Sequence, residues 1–268
     1  MRVVILTSSL RGLAPYCIPR LAEEPKIEIA MVVYNEGRPL DPWKQRKRKI
    51  KKTLKIGILG ALNGMRIRPW FSDDVYSRLN IEELGTVVDR LGIRLEKTPT
   101  INCQRTIDLF AEADAELGLS LGNPYIGERV FSIPKYGMIN IHHEVLPRFQ
   151  GARSVIWQIY EGSVETGYTI HRVDRHIDTG DILYQEKMPI QLKPTLRETV
   201  SDNYARLYEA SAEGLVKVVS NFTEFAANAK PQVGGRSFTT PTFWQYLRMV
   251  RQHRKLYREH LKQPFARN

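Results

Sequence analysis

The sequence predicts an α/β fold, a mostly parallel twisted sheet flanked by helices. Three observations point there. Short apolar runs, Val3 to Leu6, Ile27 to Tyr34, Glu116 to Leu121 and Met138 to Ile141, alternate with helix-like segments, the pattern that builds a parallel sheet. Polar residues follow those runs: Thr7-Ser8-Ser9, Gly122-Asn123-Pro124 and His142-His143. Open α/β sheets place their chemistry at the carboxyl ends of strands. The chain is also long enough, at 268 residues with 42% hydrophobic, to bury a sizeable core.

In chain order, Val3 to Leu6 is a strand. Ser8 and Ser9 either cap the next helix or border an anion or acceptor site at its N-terminus. A helix from about Pro15 to Glu24 and the strand Ile27 to Tyr34 complete a first strand-helix-strand unit. Residues 38–80 read as a basic helical insertion outside the sheet. Within it, Lys44 to Lys55 holds eight basic residues in twelve and no acid. Trp43, Ile50, Leu54, Ile58 and Leu62 fall near helical spacing around that run. Such a segment suits an anionic membrane surface, nucleic acid or an acidic partner. The alternative is a lid whose apolar stripe docks on its own domain, or a subunit contact in a homodimer. Helices over Asn80 to Leu91 and Cys103 to Ala113 lead to the buried strand Glu116 to Leu121.

The stretch from Tyr136 to Gln185 carries the chemistry. Met138 to Ile141 ends in two histidines, and Tyr168 to Ile170 leads into a loop of charge and glycine, Asp174 to Asp181. If those strands are neighbours, Asn140, His142 and Asp178 converge. The trio suits attack of an amine on an acyl carbon. An amide can donate to the developing oxyanion, a histidine can donate a proton or hydrogen bond, and a carboxylate can hold that histidine charged.

Asn140-x-His142, Leu146-Pro147, Gly151, Gly167, His171-Arg172-Val173-Asp174 and Asp178-Thr179-Gly180 together resemble the folate-dependent formyltransferases. That family includes the glycinamide ribonucleotide, methionyl-tRNA and sugar N-formyltransferases. The resemblance implies a Rossmann-like sheet and 10-formyltetrahydrofolate as co-substrate, with no metal. It implies Asn140, His142 and Asp178 as catalytic residues, and Asn123, Tyr125, Ile126, Asp174 and Ile177 along the folate. Ser8, Ser9, Glu144, Gly151 and Trp157 fall on the acceptor side. One departure stands out. Where the family has a small residue, then Ser or Thr, then Leu-Leu-Pro, this chain has His143-Glu144-Val145-Leu146-Pro147. Glu144 therefore either reshapes the acceptor pocket or points outward.

Gly151-x-x-Ser154-Val155-x-Trp157 and Glu165-Thr166-Gly167 look most like the sugar branch. The implied acceptor is the amine of a nucleotide-linked amino sugar in surface-glycan synthesis. A methionyl-tRNA or glycinamide ribonucleotide type of formyltransferase, and a non-catalytic basic binding module on the same fold, are the alternatives. The tRNA-dependent members carry a C-terminal β-barrel, whereas here the tail reads as helices over Thr195 to Val219 and Phe243 to Leu261; nucleic acid is disfavoured accordingly. The expected division is a catalytic domain over 1–195 and a helical extension over 196–268 packed on it. A net charge of +11 and a pI near 9.6 favour anionic partners. Two cysteines without a pairing or metal motif, and no leader-like or membrane-spanning run, point to the cytoplasm, with a peripheral position at the inner membrane face left open.

Overall fold

The computed structural model describes residues 1–37, 41–151 and 154–262; the first residues of the basic insertion, 38–40, and the last of the C-terminal extension, 263–268, lie outside them. The chain begins with β1 (Arg2–Thr7), α1 (Leu13–Glu23) and β2 (Glu28–Asn35), then a helical arm of α2 (Pro42–Ile56), α3 (Ile58–Arg66), a 3-10 turn and α4 (Asp73–Arg78). It returns to the sheet through α5 (Leu84–Leu91), β3 (Leu95–Thr98), α6 (Gln104–Ala113), β4 (Leu117–Ser120), α7 (Glu128–Phe131) and β5 (Met138–His142). The short β6 (Gln150–Gly151) and α8 (Ile156–Tyr160) precede the hairpin β7 (Glu165–Arg172) and β8 (Ile182–Pro189). Last come α9 (Leu196–Ser220), α10 (Phe222–Ala227), β9 (Ser237–Phe238) and α11 (Phe243–Leu261).

Seven strands form one sheet in the order β3-β2-β1-β4-β5-β7-β8. The first five pair in parallel and the β7–β8 hairpin adds antiparallel at the β5 edge. Strand β1 sits between β2 and β4, so the chain order reverses there. This is the switch point at which an open α/β sheet leaves a crevice. The central strands are apolar because both faces are covered; Val3, Val4, Ile5 and Leu6 are all fully buried.

Helix α9 lies over the sheet and belongs to the same core. Leu207, Ala212, Leu215, Val218 and Val219 are buried in one cluster with Ile5, Leu119, Ile139 and Tyr168. It starts with a capping box, the Thr195 hydroxyl accepting from Glu198 N–H and the Glu198 carboxylate accepting in return. Two element boundaries differ from expectation. The helix expected from Asn80 begins only at Leu84, because Asn80 takes a left-handed φ of 49° and ends the preceding turn. The short strand expected at Met188 to Ile190 is the end of the longer β8, whose pairing with β7 sequence periodicity does not reveal.

Candidate active site

Sheet register brings the three central residues together. On β5, Asn140 lies opposite Ser120 of β4 and His171 of β7, and His142 lies opposite Thr169. Asp178 comes from the loop joining β7 to β8, in a left-handed φ of 57° that aspartate tolerates better than most residues. Gly180 lets this loop close, since a Cβ there would stand 2.0 Å from the Arg172 carbonyl oxygen. The Asp174 carboxylate tightens the turn from within, accepting from the His176 N–H and the Thr179 hydroxyl.

Asp178 sits between two histidines, with Oδ2 3.7 Å from His142 Nδ1 and Oδ1 3.9 Å from His171 Nε2. His171 donates from Nδ1 to the Arg172 carbonyl at 2.8 Å, which leaves Nε2 to accept from Asn140 Nδ2 at 3.2 Å. His171 thereby holds the Asn140 amide by one N–H and leaves the other for a ligand.

His142 Nε2 is buried without a hydrogen-bond partner. Burial lowers the His142 pKa below its ordinary value; the Asp178 carboxylate opposes the shift, as does the nearby Phe149 backbone. Burial lowers His171 in the same direction, aided by His142 and opposed by Asp178. The expectation that Asp178 keeps His142 charged is therefore reversed. Desolvation of the ring outweighs a carboxylate that stands slightly too far for a direct hydrogen bond.

A cavity of about 610 Å³ opens over this cluster, within the usual size of a small-molecule site. One side is formed by Gly122 to Ile126 after β4 and by Val173, Asp174, His176 and Ile177 after β7. The other is formed by Ser9, Gly12, Leu13, Glu144, Ser154 and the tyrosines Tyr76, Tyr204 and Tyr208. His143 stacks on Tyr208 with ring centres 4.9 Å apart and meets Ser211 Oγ at 3.0 Å. Burial pushes its pKa down to about 3, so it is a neutral brace for the aromatic wall.

Most residues expected to bind ligands do line this cavity: Asn123, Tyr125, Ile126, Asp174, Ile177, Ser9, Glu144 and Gly151. Tyr125 and Ile177 are largely exposed, as the lips of an open cleft would be. Glu144 points inward. Its carboxyl accepts from Gln158 Nε2, and burial raises its pKa well above the usual range despite that bond. Burial thus favours the neutral form of this carboxyl. Ser154 Oγ on the cavity wall is buried without a partner, as is Gln158 Oε1 behind Glu144.

Two expected acceptor residues are elsewhere. Ser8 is fully committed, accepting from Asn35 Nδ2 and donating to Asn123 Oδ1, both at 2.9 Å. Trp157 is packed against Phe238 and donates from its indole to the Thr239 carbonyl at 3.1 Å. It belongs to the core because α8 turns its bulky face toward the β6–β9 pair. Asn123 does border the cavity, but its amide is used on the Leu6 carbonyl and Ser120 Oγ; it braces the β1 and β4 loops. Sequence reasoning missed His171, although it stood in the quoted motif, and also the tyrosine wall. Tyr204 and Tyr208 are one helical turn apart on α9, a spacing that reads equally well as core. Tyr76 carries no local signal.

Residues 123–219 match the formyl transferase family, and this segment contains Asn140, His142 and Asp178. Solved structures share the fold. A sugar N-formyltransferase from a Shewanella species is 15% identical, with 94% of this chain and 87% of that one covered and a TM-score of 0.56. A phosphoribosylglycinamide formyltransferase from Anaplasma phagocytophilum is 18% identical over 82% and 87%, with a TM-score of 0.55. The N-formyltransferase from Helicobacter canadensis in complex with folinic acid and dTDP-3-aminofucose is 16% identical over 96% and 81%, with a TM-score of 0.50. The chain thus shares the fold of these formyltransferases, and its segment 123–219 matches the formyl transferase family.

Proposed function

We propose that this chain transfers a formyl group from 10-formyltetrahydrofolate to the primary amine of a small anionic acceptor, a nucleotide-linked amino sugar. The observation that carries this reading is the convergence of Asn140, His142 and Asp178 on one cavity with two differently built sides. The loops after β4 and β7 suit the folate, with exposed Tyr125 and Ile177 covering its ring. The tyrosine side suits a base or sugar face, since aromatic walls bind flat and apolar ring surfaces. The neighbours named above include enzymes acting on sugars, and the one from Helicobacter canadensis is in complex with both a folate and a nucleotide-linked amino sugar.

In the reaction the acceptor nitrogen bonds to the formyl carbon and the bond from that carbon to N10 of the folate breaks. The free Asn140 N–H stabilises the oxyanion formed between these events. Neutral His142 takes the proton that the attacking nitrogen sheds, and Asp178 stabilises the resulting imidazolium. The proton passes on to departing N10. Glu144 and Ser154, which line the cavity, offer hydrogen bonds to the acceptor's polar groups. The test is incubation with formyl-folate and a panel of nucleotide amino sugars and glycinamide ribonucleotide, read by mass spectrometry. A formyl mass gain on a nucleotide sugar supports the reading, and a gain confined to glycinamide ribonucleotide overturns the acceptor assignment.

A further inference from the structure

The arm between β2 and β3 is built inside out. In α3 the buried residues are Gly60, Asn63 and Gly64, while Ile58, Leu59, Leu62 and Met65 are each more than half exposed. The glycines face the start of α11; a Cβ on Gly60 would come within 3.3 Å of the Thr242 and Phe243 backbone. Close backbone approach fixes this helix to the body and leaves its aliphatic side facing water.

Helix α2 repeats the arrangement with charge added. Its main packing partner is α3, and Ile56 is its buried apolar residue. Trp43, Ile50 and Leu54 are 60%, 50% and 81% exposed. Spaced by seven and four residues, they form a narrow stripe along one face. Basic residues flank that stripe, and Lys47 Nζ lies 5.1 Å from the Trp43 ring centre. Seven of the sixteen exposed large hydrophobic side chains among the described residues fall between Trp43 and Met65. Such clustering marks an interaction surface, whereas singly scattered ones do not.

We propose that α2 and α3 dock the enzyme on an anionic lipid surface. Charge and apolarity together choose this occupant. A second copy would bring two runs of eight basic residues against each other. Nucleic acid would pair with the lysines and arginines but leave Leu54, Ile58 and Leu62 in water. A bilayer takes both, its anionic headgroups the charge and its acyl boundary the aliphatic stripe. No described helix is long and apolar enough to cross a membrane, so the arm lies on the surface. Trp244, 76% exposed at the start of α11 where α3 packs, adds an aromatic side chain suited to that interface.

The test uses the full chain and flotation with vesicles of phosphatidylcholine, with and without one quarter phosphatidylglycerol. The expected result is binding to the anionic vesicles alone, released by high salt. Reversing four charges, Lys47→Glu, Arg48→Glu, Lys51→Glu and Lys52→Glu, weakens it by about a hundredfold or more. Leu54→Ser with Ile58→Ser keeps every charge and weakens it by roughly tenfold. All six sites are exposed, so circular dichroism stays unchanged. No binding to anionic vesicles at low salt overturns the proposal. So does binding indifferent to the serine pair, duplex RNA bound tighter than vesicles, or self-association that the serine pair abolishes while vesicles stay unbound. The vesicle readout is independent of formyl transfer, so either reading can fail alone.

Discussion

The strand-end cluster and the helical arm solve opposite problems with the same residues. Around β5 and β7, polar groups are buried or half-buried around a cavity, His171, Glu144 and Ser154 fully and Asn140 and His142 in part, and the aliphatic side chains are packed beneath them. In α2 and α3 most aliphatic side chains face water, and the glycines of α3 face the protein. Burying a polar group costs free energy that only a function in the cavity justifies. Exposing a run of aliphatic side chains costs likewise, unless something covers them. Each region departs from the usual inside-outside rule, and each departure marks the surface on which a partner is proposed to bind.

The largest contrast lies in activity. His142→Ala and Asp178→Asn each reduce kcat/KM by about a hundredfold or more while melting normally, whereas the four-charge reversal in α2 leaves turnover of a soluble acceptor unchanged. Steady-state kinetics on the three variants checks this; near-wild-type turnover in either active-site variant breaks the contrast. His171→Phe, which releases the Asn140 amide without touching the substrate, lowers kcat with little change in KM for the acceptor.

Next in size is acid sensitivity, to which the cavity region contributes through a buried histidine. His143 titrates near 3 in the folded protein and near 6.5 when unfolded. Between those values the unfolded chain binds the extra proton, so stability falls as pH drops from about 6.5 toward 3, by a few kcal/mol in all. His143→Phe keeps the stack on Tyr208 and flattens that slope in melting temperature against pH. Activity at saturating acceptor holds above neutrality and falls only in acid, since burial keeps His142 neutral. Residual turnover in Asp178→Asn loses activity at still lower pH, because the carboxylate that raised the His142 pKa is gone.

Smaller effects sharpen the reading of the arm. Gly64→Ala puts a Cβ 2.7 Å from Thr240 Cγ2 and costs about 1–2 kcal/mol as α3 is pushed off its seat. Leu62→Ser on the exposed side changes stability by less than about 0.5 kcal/mol. Urea melts of the two variants distinguish them, and a larger cost for Leu62→Ser breaks the inside-out description.

The strands, their alternation with helices and the trio of Asn140, His142 and Asp178 were legible in sequence, because apolar runs ending in polar residues are local signals. The same holds for the basic character of α2, since twelve consecutive residues state it. Tertiary structure alone decided the rest. That His171 holds the Asn140 amide follows from antiparallel pairing of β5 with β7, a contact across 31 residues. That His142 is neutral follows from the depth at which the sheet buries it. Trp157 and Ser8 resemble ligand contacts in sequence, yet α8 and the Asn35–Ser8–Asn123 chain of hydrogen bonds use them internally. The apolar stripe of α2 has the same spacing whether it faces the body or the solvent. Only Gly60, by letting α3 approach the backbone at the start of α11, and Gly64, by seating it on the Thr240 side chain, determine which side of the arm is left outside.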